Sequence, residues 1–191
     1  MKLPASDTHF RSSDWLTYQL KQFQVAVNLC SHKRTAIDCG AHVGIMTHRM
    51  ADLFEQVHAI EPVHWQLLQQ NTASYHNVEV YPFCVGDDEK SVGVREFNPT
   101  NSDDNRVVEG NTHTQYPSDS WAWQEVDFIK MDIQGHELAA LQGAEKTIRT
   151  WHPVLMIELE SDDPNRTKIL DLLDVWGYRL KFRKNADHVF W

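Results

Sequence analysis

The sequence predicts an α/β fold, a mostly parallel sheet with helices on both faces. Three observations predict it. Short apolar runs such as Thr35-Ala36-Ile37-Asp38-Cys39 and Val154-Leu155-Met156-Ile157-Glu158 have strand length and are too continuously apolar to leave one face in water. They alternate with helix-like stretches of roughly 10–15 residues, the pattern of βαβ crossovers. Gly40 and Gly44 break the chain directly after the first run, where a strand would turn into a helix.

The elements follow in order. Residues 1–12 are polar and expected to be loose. An amphipathic helix is expected from Asp14 to Leu29, capped by Ser13 or Asp14. Strand 35–39, helix 45–54 and strand 56–60 come next, and Pro62 opens a helix running to about Tyr75. A third strand covers 78–85, with Pro82 marking an edge or a bulge. Residues 92–97 can form a strand, whereas 98–115 are rich in Asn, Asp and Thr without periodicity, which suits a functional lid or partial disorder. Strand 126–131, helix 136–150, strand 154–159 and helix 165–175 restore the alternation, and 178–182 with 189–191 suggest a closing antiparallel pair. The basic stretch 178–184 fits the exposed face of such a strand.

A length of 191 residues suits one domain, read as a polar segment and helix over 1–30 and a main domain over 31–191. Hydrophobic residues at 41% and charged residues at 24% exclude collagen-like and wholly disordered classes. Lys and Arg total 18 against 27 Asp and Glu, a net charge of −9, which argues against nucleic acid or an anionic membrane as the main partner. Cys30, Cys39 and Cys84 lack paired spacing, the N-terminus has no apolar h-region, and no apolar run approaches membrane length. The expectation is a cytoplasmic protein; a homo-oligomer stays open.

In parallel sheets ligands bind beyond the carboxyl ends of the strands. There the sequence places Asp38-Cys39-Gly40-Ala41-His42-Val43-Gly44, whose glycines allow a tight turn and whose backbone N–H groups can meet polar groups. Glu61 follows the second strand, 17 residues beyond Gly44, where an acid can accept both hydroxyls of a ribose; its other reading is a favourable charge before the helix that Pro62 opens. The middle glycine of a dinucleotide fingerprint is missing, and Asp38 would repel a diphosphate. A ribose-bearing cofactor with an amino-acid end and no phosphate fits better, and S-adenosylmethionine is such a molecule. A nicotinamide oxidoreductase ranks behind it.

Those two motifs, with Ile129-Lys130-Met131-Asp132-Ile133-Gln134-Gly135-His136-Glu137, Leu141-Gln142-Gly143-Ala144 and 153–158, resemble the FkbM-type methyltransferases over about 36–159. The resemblance implies a Rossmann-like class I methyltransferase fold with a seven-stranded sheet. It also implies S-adenosylmethionine as cofactor and methyl transfer, usually to a hydroxyl oxygen of a small molecule or glycan. His42 stands where the family often has Asn, and Gln134 where Glu is more common.

The expected cofactor set is Asp38, Gly40, Ala41, His42, Gly44, Glu61, Pro62, Gly86, Asp87 and Asp132, with Gly86 and Asp87 near the adenine or simply in a solvated turn. His42 would offer its ring to the carboxylate end of the cofactor. The expected catalytic set is Asp132, His136 and Glu158. His136 has the ordinary pKa of a base and can pair with Asp132, while Glu158 faces the cleft or makes a structural hydrogen bond. Glu137 can favour a helix N-terminus. Tyr116, Trp121 and Trp123 cover the acceptor or join the core. No metal set is assigned, although Asp132 and Glu158 with a histidine could hold a divalent cation. N-methylation on the same fold and a non-catalytic cofactor-binding protein are the alternatives.

Overall fold

The computed structural model describes residues 1–12, 15–98 and 100–191. A short helix α1 (His9–Ser12) and α2 (Leu20–Leu29) precede β1 (Thr35–Cys39), α3 (Ile45–Ala51), β2 (Gln56–Ile60), α4 (Trp65–Asn71) and β3 (Val78–Tyr81). Then come β4 (Cys84–Val85), β5 (Lys90–Glu96), β6 (Asn105–Tyr116) and β7 (Val126–Met131). The chain finishes with α5 (Glu137–Gln142), α6 (Glu145–Trp151), β8 (Val154–Glu158), α7 (Arg166–Val175), β9 (Leu180–Lys184) and β10 (Asp187–Phe190).

Seven strands form one sheet in the order β3-β2-β1-β7-β8-β10-β9. β1, β2, β3, β7 and β8 pair in parallel, and β10 runs antiparallel between β8 and β9, so the expected closing pair is present. Strand alternation sorts side chains onto two cores. Ile37, Ile129, Leu155 and Ile157 face α5, α6 and α7, whereas Ala36, Phe128, Val154 and Met156 face α2 and α3. By the same alternation Asp38, Lys130, Glu158 and Asp187 share the α2 and α3 face at the end of the sheet where the parallel strands finish. Register puts Asp38 opposite Lys130, and Asp187 opposite Glu158.

Several expectations change. The N-terminal helix starts at Leu20 rather than Asp14, after Gln19 in the left-handed region (φ 49°). The expected caps, Ser13 and Asp14, lie outside the described residues. Within residues 1–10, mostly exposed, Asp7 and Phe10 are buried, so the segment is anchored at two points rather than loose throughout. Pro82 splits the expected strand 78–85, leaving β3 at the edge of the large sheet and sending β4 into a second sheet of order β4-β6-β5. The aperiodic stretch 98–115 supplies a 12-residue strand, β6, paired with β5. It escapes period-two reading because Gln115 is its one buried residue.

The helix expected over 136–150 is broken into α5 and α6 at Gly143. A Cβ at Gly143 would stand 1.8 Å from the Gly86 carbonyl oxygen, so the β4 loop and the helix pair meet through bare backbone. Gly143→Ala therefore forces these segments apart. Urea unfolding should show a loss of about 2–3 kcal/mol, the cost of overpacking a close contact.

Candidate functional site

The glycine turn is wired inward. Gly40 (φ 77°) sits so close to β7 that a Cβ there would lie 1.9 Å from the Asp132 carbonyl oxygen. The N–H groups of Gly40 and Ala41 both donate to the Ile60 carbonyl, and the His42 N–H donates to Glu61 Oε2 at 3.0 Å. The turn's amides are thus not aimed at a ligand, as the motif had suggested. Glu61 Oε1 also accepts from the N–H groups of Val63 (2.7 Å) and His64 (2.9 Å). Three of about four acceptor positions on this carboxylate are filled, which leaves one rather than two for a sugar hydroxyl. Gly44 (φ 99°) belongs to packing instead of the cleft, because a Cβ there would come 2.9 Å from Leu68 Cδ1.

A charged row lies beside the turn. Lys130 is 3% exposed and donates to Asp132 Oδ2 at 3.1 Å, with Asp38 Oδ1 at 3.8 Å. Asp132 Oδ2 also accepts from Gln19 Nε2 at 3.1 Å, and Oδ1 from Gln134 Nε2 at 3.3 Å. Burial opposes the Asp132 charge, but Lys130 and these hydrogen bonds outweigh it and hold the carboxyl below its usual range. Burial and the nearby Asp132 push Glu158 up to about 10, so it is protonated at neutral pH and hydrogen-bonds to Asp132. Burial and Asp132 also raise Asp103 well above the carboxylate range. Asp38 is fully buried with its pKa raised by burial; Thr47 donates to Oδ2 at 2.7 Å, while Oδ1 has no hydrogen-bond partner. The ammonium of Lys130 stands where the sequence reading allowed a divalent cation, and among the described residues no three His, Cys, Asp or Glu groups form a metal-ligand set.

Two clefts meet at this row. The larger, about 530 Å³ including its mouth, runs between Gly40, Glu61 and Pro62 on one side and Ile133 and His136 on the other, over an apolar floor of Ile60, Phe83 and Val85. Val94, Asn105 and Val107 of the β5–β6 hairpin wall it. The smaller, about 250 Å³, shares Gly40, His42, Asp103 and Asp132 with it and continues to Ala41, Lys130, Phe10 and Tyr18. An open, acidic cleft bearing Glu158, Glu160, Asp162 and Asp163 adjoins the larger one at Gln134 and His136.

The remaining expected residues divide. His136 lines the larger cleft, but its Nε2 bonds Gln115 Oε1 at 2.7 Å, and Asp132 is held by Lys130, Gln19 and Gln134, so the expected His136–Asp132 pair does not form. Gly86 and Asp87 stay outside the clefts. A Cβ at Gly86 would meet the Gln115 amide at 2.0 Å, and Asp87 accepts from Lys90 and Gln115, both at 3.1 Å. Cys84 and Val85 take the lining position instead. Tyr116, Trp121 and Trp123 belong to the core, with Trp121 stacked on Phe83 at 4.3 Å and Trp123 buried. Glu137 is buried and accepts from the N–H groups of Ile133 and Gly135, shaping the 132–137 loop.

A sequence profile of the methyltransferase FkbM domain matches residues 38–180. The chain belongs to the FkbM methyltransferase family. A crystal structure of a methyltransferase FkbM from Methylobacillus flagellatus is similar with a TM-score of 0.58 and 24% identity, over 83% of this chain and 43% of that one. The FkbM chain described here thus spans less than half of that relative. A putative methyltransferase from Streptococcus mutans in complex with S-adenosylhomocysteine shares the fold with a TM-score of 0.57 at 10% identity, over 89% and 93% of the two chains. Fibrillarin from Aeropyrum pernix with bound S-adenosyl-L-methionine gives 0.53 and 10%, over 88% and 72%. No curated protein matches the sequence. The fold is therefore the expected class I methyltransferase fold, and among the described residues no helix is long and apolar enough to cross a membrane.

Sequence reading missed Lys130, Gln19, Asp103 and Asp187. Lys130 had a signal, a lone charge within the apolar strand 126–131. The other three had none, since Gln19 meets Asp132 and Asp187 (2.9 Å) across more than a hundred residues. Gln19, His42 and Gln134 are also left-handed non-glycine residues, at φ 49°, 49° and 55°.

His42 is the clearest pH-sensitive group. Burial and neighbouring His64 push its pKa down to about 3, so the folded ring stays neutral. Between pH 6.5 and 3 the unfolded chain binds a proton at His42 that the folded one does not, so this group's contribution falls as pH drops, by up to about 1.4 kcal/mol per pH unit. His42→Asn keeps a residue that tolerates the left-handed backbone. Urea unfolding at pH 6.5 and 5 should show the variant losing about 1–2 kcal/mol less than the wild type.

Proposed function

We propose that the protein is an S-adenosylmethionine-dependent O-methyltransferase acting on a hydroxyl group of a small molecule or glycan. The observation that carries this reading is the meeting of the two clefts at Asp132, where an ionised carboxylate stands beside the Lys130 ammonium. Such a site suits a ligand end that bears both charges, and the carboxylate disfavours a diphosphate.

The residues fit the cofactor. Glu61 retains one acceptor position for a ribose hydroxyl, Pro62, Phe83, Val85 and Ile133 offer apolar walls to an adenine, and the smaller cleft sets Lys130 against Asp132, opposite charges suited to an amino-acid end, with the Asp103 carboxyl beside them. When bound, the cofactor supplies an activated methyl group on a sulfonium. Ala41 and His42 border the smaller cleft; the neutral His42 ring offers a hydrogen bond rather than charge.

His136 is the candidate base. Gln115 Nε2 donates to Asp87 and Asp88, so its Oε1 is left to accept from His136 Nε2–H. That fixes the tautomer and leaves the lone pair on Nδ1. Burial lowers the pKa of this ring, keeping it neutral and able to take a hydroxyl proton. Asp132, held ionised, binds and orients; Glu158, protonated, is a hydrogen-bond donor rather than a base. The acidic rim of Glu160, Asp162 and Asp163 repels phosphate-rich acceptors such as nucleic acid. It also suits an amine, which keeps N-methylation as the second reading.

At 100 times its Kd, S-adenosylhomocysteine should stabilise the protein by about 2.7 kcal/mol, read as a rise in Tm of roughly 5–10 °C, with no shift from NAD. A shift with NAD alone would overturn the cofactor assignment. In radiolabelled methyl transfer against paired hydroxyl and amine acceptors, His136→Ala should lower kcat by about 10²–10⁴-fold with the S-adenosylhomocysteine Kd little changed. Labelling confined to amines would replace the O-methyl reading.

A further inference from the structure

The chain N-terminal to the family match builds one side of the smaller cleft. Asp7 is fully buried. Its Oδ1 accepts from the Phe10 N–H at 2.8 Å, and its Oδ2 accepts from the Ser102 N–H at 3.1 Å and from the Ser102 hydroxyl. The Thr8 and His9 N–H groups donate to the Thr100 carbonyl at 3.0 and 3.1 Å. Since the Ser102 hydroxyl donates to Asp7, its oxygen is free to accept from His42 Nε2–H, 2.7 Å away. A continuous chain of hydrogen bonds therefore runs from Asp7 through Ser102 to the His42 ring, and Asp103 follows directly on the same loop.

The segment also contacts the cleft itself. The Phe10 ring packs on His42 at 5.1 Å and on Tyr18 at 5.3 Å. Arg49 of α3 donates to the carbonyls of Trp15 (3.0 Å), Leu16 (2.8 Å) and Tyr18, anchoring the turn before α2. Phe10 and Tyr18 face Lys130 and Asp132 across the smaller cleft, and neither lines the larger one. A buried carboxylate with three donors is costly to form and rigid once formed. Here it fixes a wall over the charged row rather than a strand of the sheet.

We propose that Asp7 and Ser102 are positioning residues for the amino-acid end of the cofactor: they hold His42, Phe10 and the 100–103 loop as the wall of the smaller cleft. The inference rests on the cofactor reading above and adds residues that lie outside the family's matched region or carry no assigned role within it. Its consequence is selective. Because His42, Ser102 and Asp103 also line the larger cleft while Phe10 and Tyr18 line only the smaller of the two, loosening this wall weakens ligands that reach the smaller cleft more than those confined to the larger.

Calorimetric titration of the full chain with S-adenosylhomocysteine and with 5′-methylthioadenosine, which lacks the amino-acid end, tests this. Asp7→Ala and Ser102→Ala should each raise the Kd for S-adenosylhomocysteine by about tenfold or more, and that for 5′-methylthioadenosine by a factor at least about threefold smaller. Equal losses for both ligands would assign Asp7 and Ser102 to folding alone and overturn the inference, as would no loss for either. If Asp7→Ala does not fold, Ser102→Ala, which leaves the Asp7 contacts to the Phe10 and Ser102 amides, carries the test. A wild type that binds neither ligand would sink the cofactor reading itself, a result distinct from the other two.

Discussion

The ion pair of Lys130 with Asp132 and Asp38 is the constraint around which the cleft-bearing end of this FkbM-family chain is arranged. Among the described residues Lys130 is the one buried lysine or arginine, and it faces the carboxyl groups of Asp38 on β1, Asp132 just beyond β7 and Asp103. Several buried carboxylates at the end of one sheet face could not all remain ionised at neutral pH. One ammonium settles the distribution. Asp132, in direct contact, keeps its charge, while Glu158 retains its proton and Asp103 is pushed towards its neutral form. Neighbouring acids thus divide into an anion and hydrogen-bond donors, as environments in enzyme sites commonly arrange.

That division depends on register. Asp38 and Lys130 are cross-strand partners, as are Glu158 and Asp187, and a slip of one residue would send each to the opposite face among Ile37, Ile129 and Ile157. Gln19 bridges Asp132 and Asp187 from the turn before α2, tying the antiparallel end of the sheet to its parallel centre. The β5–β6 hairpin then closes the larger cleft from outside the sheet.

Much of this was legible in the residues. Strands 126–131 and 154–158 declare themselves as apolar runs, and the glycine turn followed by Glu61 marks the first crossover at the expected place. Other parts depend on tertiary facts that no local pattern encodes. β6 is half-buried to exposed with one buried residue and carries almost no alternation, so it read as a loop. The start of α2 is set by the left-handed turn at Gln19, where the apolar pattern begins several residues earlier. Gly86 and Asp87 looked like cleft residues because they follow a strand, but the Gln115 side chain occupies that space. Glu61 carries both of its readings at once: it organises the chain before α4 through backbone N–H groups and keeps one acceptor position open.

The three left-handed positions at the site, Gln19, His42 and Gln134, bear on how such a sequence can drift. Gln19 and Gln134 donate to the Asp132 carboxylate, and His42 ends the hydrogen-bond chain from Asp7. Here the backbone restricts the alphabet before any ligand does, since β-branched residues are excluded and glycine, asparagine and aspartate are the easiest replacements. Neighbouring wall residues on the hairpin, such as Val94 and Val107, carry no such restriction. Sequence divergence around the clefts is therefore expected to accumulate on the hairpin and the acidic rim, while these three sites change within a narrow set.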